Sequence, residues 1–224
     1  MSDMRCVLSL VLLLGLSSPA GATTISGSAE IIDGDTLAMA GQIVRLLDID
    51  APELGQTCDG PTALRWCGAA AAKALEEHLS GRAVSCEGSE HDDYGRLLAR
   101  CTVDGQDLSG WLVDTGWALA FVRYSTRLLE QERAARQAKV GVWSVASVEP
   151  PWEFRARRWR EAGQEAPKGC AIKGNVTRKG ERIYHLPWAD RFYDRTKVSP
   201  KQGDRWFCTE SEAIAAGFRA PLWK

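Results

Sequence analysis

The hydrophobic and polar positions along the chain first follow the short alternation that is typical of β-strands. Three runs, at residues 28–32, 36–40 and 42–48, are rich in apolar and β-branched side chains and are separated by Asp-Gly and Ala-Gly pairs. An Asp-Gly pair between apolar runs is a strong signal for a β-hairpin. The pattern therefore predicts three short strands joined by tight turns, and residues 83–87 and 97–103 predict two more.

The period of the apolar positions changes to that of a helix at three places. Alanine and leucine recur at helical spacing over residues 67–79, and Gly81 follows as a stop. A short helix is predicted at 108–115, and a longer one from a Ser125 cap to residue 139. This pattern predicts a mainly β fold with helices, namely a five-stranded closed barrel of the oligonucleotide-binding (OB) type with three helices packed on it.

Pro150 and Pro151 end this first unit. After them, residues 152–163 predict a basic helix that carries two tryptophans, and residues 164–168 predict a linker. The last unit has its own aromatic side chains and two cysteines. We therefore expect an OB-fold domain at 23–148, a basic helix and linker at 149–168, and a small basic α+β domain at 169–224.

The first 22 residues have the three-part layout of a secretory signal peptide. One basic residue precedes an apolar run at 7–16 that is too short to span a bilayer comfortably, and Ala20-Gly21-Ala22 forms a small-x-small cleavage site. An uncleaved anchor is the alternative. Cleavage after Ala22 would give a protein that is secreted or periplasmic and has no membrane segment.

Composition places the chain among ordinary globular proteins, because 45% hydrophobic and 25% charged residues exclude collagen-like and disordered classes. The charge is uneven, although the formal net charge is only −1. Residues 1–150 hold 12 Lys and Arg against 20 Asp and Glu, whereas residues 151–224 hold 16 against 9. The basic C-terminal part indicates either a polyanionic partner or a solvated surface, and nothing in the sequence points to a protein partner.

Six of the seven cysteines remain once Cys6 leaves with the signal peptide, and an even number in an oxidising compartment favours disulfides. Six cysteines allow many pairings, which the sequence alone does not resolve. The spacing favours three of them: Cys58 with Cys67, Cys86 with Cys101, and Cys170 with Cys208. Zinc binding by thiolates is the weaker alternative, because the chain has no Cys-x-x-Cys pair.

Carboxylates concentrate at two turns of the predicted barrel. Asp33 and Asp35 lie in the first turn, and Asp48, Asp50 and Glu53 follow the third predicted strand. The first pair alone is typical of a plain hairpin. Five such groups repel one another unless a hard cation binds or cationic side chains pair with them, and Ca²⁺ prefers oxygen ligands of this kind. The second cluster therefore favours a metal site.

Arg45 lies within an otherwise apolar run, where an unpaired charge is expensive. It either makes a structural salt bridge to Asp48 or Asp50, or holds a phosphate with its planar fork. Arg96 stands beside Tyr94 in another tight turn. Two arginines, metal ligands and a spare carboxylate are the components of metal-assisted phosphodiester hydrolysis.

Strict alternation along a strand places Arg45 and Asp50 on opposite faces. If both side chains face one phosphate, the strand must bend or bulge between them. We therefore expect an irregularity at residues 48–51.

The motifs at residues 33–36, 45–53 and 94–96 resemble those of the micrococcal (thermonuclease-type) nuclease family in order, spacing and identity, over residues 25–145. The resemblance implies an OB barrel with three helices and a Ca²⁺-dependent nuclease that cleaves DNA and RNA and leaves 3′-phosphate ends. It further implies that Asp35, Asp50 and the backbone carbonyl of Ala51 bind Ca²⁺, and that Asp33 orients a metal-bound water.

The same resemblance implies roles at the phosphate. Glu53 would be the general base or would position the attacking water, Arg45 and Arg96 would clamp the phosphate, and Tyr94 would contact substrate. The chain departs from the family at Asp93, where a basic residue is common, and has Ala51 where threonine is common. The change at Ala51 is harmless if only its carbonyl binds metal.

In the C-terminal part, a set of residues resembles a small domain, sometimes called a sunset domain, that is appended to some secreted bacterial nucleases: Asn175, Tyr184-His185, Trp206-Phe207-Cys208 and the pattern at residues 212–219. A disulfide between Cys170 and Cys208 is the favoured interpretation here. The alternative is zinc bound by these two cysteines and His185, which lacks a fourth ligand. The basic and aromatic residues of this part would bind nucleic acid, or would form a folded cap with its aromatics buried.

Three functions are open on the sequence alone. The first is a secreted or periplasmic Ca²⁺-dependent nuclease with low sequence preference. The second is a non-catalytic nucleic-acid-binding OB-fold protein of the cell envelope, and the third is an envelope protein with a vestigial site whose tail docks a partner. Glu53, Arg45 and Arg96 favour the nuclease, because a protein that only binds nucleic acid has no common use for all three.

Overall fold

The computed structural model describes residues 22–60, 64–189 and 192–221. The predicted signal peptide, apart from Ala22, lies outside the described residues. Within those ranges, no helix combines the length and the apolar character needed to cross a membrane.

A curled sheet forms the body of the fold. Its strands are β1 (Thr23–Gly27), β2 (Glu30–Ile31), β3 (Thr36–Met39), β4 (Gln42–Leu46), β6 (Val84–His91), β7 (Leu97–Val103) and β8 (Gln106–Asp107), while β5 (Ile49–Asp50) pairs with β9 (Leu119–Ala120). The order in the sheet is β1-β6-β7-β4-β3-β2, with β8 on β7. The pairs are antiparallel except β4 with β7, which is parallel. The predicted mainly β class is confirmed.

Three helices pack on this sheet: α1 (Cys67–Leu79), α2 (Leu108–Asp114) and α3 (Leu129–Ala138). In α1, Ala71, Leu75 and Leu79 lie on one buried face, and the helix ends at Ser80 in the left-handed conformation. The core between helices and sheet consists of fully buried aliphatic side chains, among them Leu37, Val44, Leu46, Leu75, Leu97, Leu108 and Leu112. These residues come from the alternating and helical patterns that predicted the elements.

The structure corrects several predicted bounds. The run at 28–32 is a strand only at Glu30–Ile31. Strand β1 was not predicted, because four of its five residues are Thr, Ser or Gly and a single apolar residue, Ile25, shows no alternation. The prediction of a helix from Ser125 is wrong, since α3 begins at Leu129 and the Ser125 hydroxyl accepts a hydrogen bond from the Arg127 N–H in the preceding turn.

The C-terminal part is a small α+β unit. Helix α4 (Pro151–Glu165) leads through a 3₁₀ turn at Pro167–Gly169 to β10 (Ile172–Val176), β11 (Arg182–His185), β12 (Arg205–Phe207) and α5 (Glu210–Ala215). The predicted linker at 164–168 is therefore mostly helical or 3₁₀. The strands form a sheet in the order β11-β10-β12, which covers a cluster of its own that includes Ile172, Tyr184, Phe207 and Phe218.

Three disulfides join the pairs that the spacing favoured: Cys58–Cys67, Cys86–Cys101 and Cys170–Cys208. Cys86 and Cys101 are direct cross-strand partners in β6 and β7. The Cys170–Cys208 bond leaves no thiolate of that pair for zinc, and His185 Nε2 lies 2.8 Å from Asn175 Oδ1. The zinc alternative is therefore disfavoured.

Candidate active site

The first acidic turn follows β2 and is held by its own carboxylates. Asp33 accepts a hydrogen bond from the Asp35 N–H at 3.0 Å. Asp35 is only 1% exposed, and its Oδ2 accepts from the Ala51 N–H at 2.7 Å. The turn at 33–35 is thus bonded directly to the second acidic segment, as a joint site requires.

The strand that carries Arg45 breaks where the alternation argument requires it. Strand β4 ends at Leu46, and β5 begins only at Ile49. Between them, Asp48 has a left-handed φ of 71°. Because of this break Arg45 and Asp50 face each other, and Arg45 Nη2 lies 2.7 Å from Asp50 Oδ1. Arg45 also pairs with Asp35 through its other terminal nitrogen.

Asp48 itself points away from this cluster and is a structural residue. Its carboxylate accepts hydrogen bonds from Arg127 at 2.7 Å and from Arg100 at 3.2 Å. These bonds hold the left-handed break in place. The salt-bridge partners of Arg45 are therefore Asp50, as the sequence allowed, and Asp35, and they do not include Asp48.

The loop that carries Glu53 is fixed from two sides. A Cβ added at Gly68 in α1 would lie 1.7 Å from the Glu53 carbonyl oxygen, so only glycine permits this approach. On the other side, the fully buried Gln56 accepts from the Glu53 N–H at 3.2 Å and donates to the Glu149 carbonyl at 2.7 Å. Gln56 therefore ties the Glu53 loop to the residues just before α4.

A third arginine, which sequence reasoning missed, enters the cluster from α4. Arg155 Nη2 lies 2.7 Å from Asp50 Oδ2, and its Nη1 lies 3.0 Å from Asp50 Oδ1 and 2.6 Å from Glu53 Oε1. The sequence signal that could have revealed it is the excess of carboxylates over arginines in the motifs. The surplus negative charge required a further cation, and the basic helix after Pro151 supplies one.

Burial and neighbouring charges shift the pKa values of carboxylic acids in the cluster. Burial raises the pKa of Glu53 to about 7; the positive charge of Arg155 opposes this rise, and the negative charges of Asp33 and Asp50 add to it. Burial also raises the pKa of Asp33, against the positive charges of Arg45 and Arg96. The mutual influence of these groups places them in one electrostatic unit.

Arg96 borders the cluster at the β6–β7 turn. Asp92 shapes this turn, because its Oδ1 accepts the N–H groups of Tyr94 and Arg96 at 3.0 Å and its Oδ2 accepts Arg96 Nε at 2.7 Å. The Tyr94 ring is half exposed, with its centroid 5.2 Å from Arg96 Cζ. Asp92 is a second residue that the sequence analysis did not single out, whereas Asp93 is exposed.

The small C-terminal unit approaches the same edge. Tyr184 donates a hydrogen bond to Glu210. Burial raises the pKa of Glu210, and the hydrogen bond from Tyr184 and the positive charge of Arg96 oppose this rise. Burial raises the pKa of Tyr94, and the negative charge of Glu210 adds to that rise. Residues of β11 and α5 therefore lie within electrostatic reach of Arg96 and Tyr94.

The donor set at the centre suits a hard cation. Asp35 and Asp50 are 1% and 0% exposed, and both contact Arg45, so their oxygens converge beside the Ala51 main chain. Among the described residues, no three His, Cys, Asp or Glu side chains form a ready-made metal cluster. Two buried carboxylates fit Ca²⁺ if carbonyl and water oxygens supply the other ligands. The same oxygens now accept from Arg45 and Arg155.

Comparisons with known proteins identify the family of the chain. The family model described as staphylococcal nuclease homologue matches residues 43–145. The succinoglycan biosynthesis protein ExoI of Rhizobium meliloti is 36% identical over 138 residues, which are 60% of this chain and 72% of that protein. An uncharacterized endonuclease of Escherichia coli O157:H7 is 31% identical over 69% of this chain and 100% of its own length. A micrococcal nuclease of Shigella flexneri is 29% identical over 74% and 97%. The chain therefore belongs to the staphylococcal nuclease family and is a hydrolytic nuclease.

Proposed function

We propose that the protein is a secreted or periplasmic, Ca²⁺-dependent nuclease that hydrolyses the phosphodiester bonds of DNA and RNA with little sequence preference and leaves 3′-phosphate ends. One observation carries this proposal. Asp35, Asp50 and Glu53, from two separate sequence motifs, converge with Arg45 in one buried cluster. A protein that only binds nucleic acid has no need for this set.

Asp35 and Asp50 would hold Ca²⁺ together with the Ala51 carbonyl, and Asp33 would orient a water on the ion. A bound divalent cation neutralises negative charge on the phosphate and stabilises the charge that develops during displacement. Burial of both aspartates supports this role, because a cation compensates for the cost of burying two like charges.

Glu53 would accept the proton of the attacking water. A carboxylate with a pKa of about 7 is suited to this task near neutral pH, because a general base works best when its pKa is close to the working pH. Arg45 and Arg96 would bind the phosphate oxygens from two sides, since a guanidinium matches the geometry of a phosphate and keeps its charge.

Products with 3′-phosphate ends require that the bond between phosphorus and the 5′ oxygen breaks. Attack of water on phosphorus with departure of the 5′ oxygen leaves the phosphate on the 3′ oxygen, and the leaving oxygen takes up a proton. Metal and phosphate contacts read no bases, which supports action on both DNA and RNA. The half-exposed ring of Tyr94 could stack on a base without regard to its identity.

The proposal is tested with the oxidised protein that begins at Thr23, on single-stranded DNA and on RNA. We expect cleavage of both in Ca²⁺, none in chelator, and product ends that a 3′-phosphatase must treat before a polymerase can extend them. Cleavage that is unaffected by chelator would contradict the Ca²⁺ dependence. Expression of the full chain with an N-terminal sequence of the exported form tests the compartment; a mature protein that still begins at Met1 would refute it.

A further inference from the structure

Arg155 makes the closest link between the C-terminal part and the site. Its Nη1 bridges Asp50 Oδ1 and Glu53 Oε1, while its Nη2 binds the other oxygen of Asp50. The guanidinium thus grips Asp50 with both terminal nitrogens and holds Glu53 with one. Planar fork geometry makes such a contact directional, so it fixes where the two carboxylates stand relative to each other.

The two carboxylates depend on Arg155 to different degrees. Asp50 also accepts from Arg45 at 2.7 Å and keeps that bond if Arg155 is removed. The hydrogen bond that the structure shows for the Glu53 carboxylate comes from Arg155. Loss of Arg155 should therefore release Glu53 much more than Asp50.

Contacts at the start of α4 hold the helix in the position that directs the Arg155 side chain to the site. Pro151 begins the helix, and the Trp152 ring stacks on Phe121 with centroids 5.6 Å apart. The buried Gln56 joins the Glu53 loop to the Glu149 carbonyl. Hydrogen bonds therefore connect the Glu53 loop to the segment that leads into the helix of Arg155.

Two other arginines of the helix bind groups outside the acidic motifs. Arg157 binds both carboxylate oxygens of Glu149 at 2.8 Å, and Arg158 binds Asp194 at 2.7 Å and the Pro187 carbonyl at 2.9 Å. Among these three, Arg155 alone reaches the carboxylates of the acidic motifs. Arg157 is a matched control, because it is an equally well-bonded arginine two residues away.

We propose that Arg155 is a positioning residue of the nuclease: it holds Glu53 at a fixed place beside Asp50, so that the helix after the barrel completes the site. This inference rests on the role of Glu53 in the proposed function. In this role Arg155 acts through Glu53 and is not itself a ligand of the metal.

The test compares the full chain with its Arg155→Ala, Arg155→Lys and Arg157→Ala variants on single-stranded DNA in saturating Ca²⁺. We expect Arg155→Ala to lower kcat on the order of 10²-fold, as misplacement of a catalytic group does, with KM changed by less than about threefold. Arg155→Lys should recover part of the loss, because an ammonium can still reach Glu53. Arg157→Ala should keep its kcat. A kcat of Arg155→Ala equal to that of the parent would overturn the inference.

Two further measurements separate positioning from other roles. In the Glu53→Gln background, Arg155→Ala should cost less than about threefold in kcat, because residues that act as a unit are not additive; a full second loss would show that Arg155 does not act through Glu53. The Ca²⁺ dissociation constant, measured by calorimetry without substrate, should change by less than about threefold. Binding tightened tenfold or more would show instead that Arg155 blocks the metal site.

The outcome also distinguishes this inference from the proposed function. If Glu53→Gln is inactive and Arg155→Ala is fully active, the inference about Arg155 is contradicted and the proposed function is not. If Glu53→Gln is fully active, the assigned role of Glu53 is contradicted, and the positioning role of Arg155 is contradicted with it. If Arg155→Ala does not fold, the decision falls to Arg155→Lys, for which a kcat equal to that of the parent with Glu53 intact would be the contradicting result.

Discussion

Gly34 lies directly against Ala51, so close that a Cβ added at Gly34 would lie 2.7 Å from the Cβ of Ala51. The missing side chain lets the first acidic turn dock on the second acidic segment. Asp35 then accepts the Ala51 N–H, and both carboxylates of the central pair reach Arg45. The glycine between the two aspartates is therefore a packing requirement of the site as well as a turn residue.

Substitution Gly34→Ala should lower both stability and activity. The added methyl group has no room, and overpacking of this kind costs about 1–3 kcal/mol. Urea unfolding measures the loss, and kcat on single-stranded DNA should fall because the 33–35 turn shifts away from Ala51. Gly163→Ala is the matched control, since the added Cβ meets its nearest atom only at 3.8 Å in helix α4. Equal behaviour of the two variants would refute the packing argument.

The ion pairs of Asp48 should make stability depend on pH in the acid range. Burial acts to raise the pKa of Asp48, but hydrogen bonds from Arg127, Ser125 and Arg100 outweigh it and lower the pKa below its ordinary value of 3.8. A carboxyl group whose pKa is lower in the folded state than in the unfolded state stabilises the fold. This contribution is complete when the pH is above the unfolded-state pKa, and it is lost as the pH falls through the folded-state pKa.

This dependence is measured by unfolding Asp48→Asn and the parent protein between about pH 2 and about pH 7, on either side of the ordinary aspartate pKa of roughly 3.9. The variant should be less stable at neutral pH, and the difference should shrink as the pH falls below about 3.9. Asparagine tolerates the left-handed conformation, so the backbone break is not the variable. A difference that stays constant over the whole range would contradict the linkage.

Asp92 should matter for catalysis through Arg96, although it touches neither metal nor phosphate in the proposed site. Asp92→Asn weakens a charged hydrogen bond worth about 1.5 kcal/mol, which corresponds to roughly tenfold in rate if Arg96 loses its orientation. Steady-state kinetics on single-stranded DNA should show this fall. The neighbouring Asp93→Asn changes an exposed carboxylate of the same turn and should be neutral; a loss of the same size there would point to net charge as the cause.

Reduction should lower the melting temperature of the protein. Cys58–Cys67 and Cys86–Cys101 close short loops of 9 and 15 residues, and each such bond stabilises by roughly 2–4 kcal/mol through the unfolded chain. Calorimetry with and without reductant measures the difference, and thiol counting under denaturing conditions checks that the bonds were reduced. A melting temperature that stays the same after complete reduction would remove this contribution.

Local patterns in the sequence were enough for much of the fold. The bounds of α1 and β7 follow directly from the spacing of apolar residues, because one face of each element is buried. The break between β4 and β5 was predicted for a different reason: strict alternation places Arg45 and Asp50 on opposite faces, so the strand had to bend if both side chains were to face one phosphate. The structure places Asp33, Asp35, Arg45, Asp50 and Glu53 together as the motifs predicted, with Arg96 and Tyr94 at the edge.

The contacts that were missed connect distant segments and leave no periodic signal. Arg155 and Glu53 are separated by 102 residues, and nothing in a basic helix distinguishes the arginine that faces a carboxylate from those that face solvent. Strand β1 was missed because it pairs through its backbone with side chains mostly exposed. Ser125 has the chemistry of a helix cap, but the buried Leu128 fixes the first turn of α3 later in the chain.

The most direct test of the account is the single-turnover cleavage rate of Glu53→Gln on single-stranded DNA in saturating Ca²⁺. Glutamine keeps the size of the side chain and removes its basicity, so a general base should lose about 10²–10⁴-fold in rate. Glu76→Gln, on the exposed side of α1, controls for the loss of one charge. A Glu53→Gln rate within a few-fold of the parent would contradict the central claim that this carboxylate activates the attacking water.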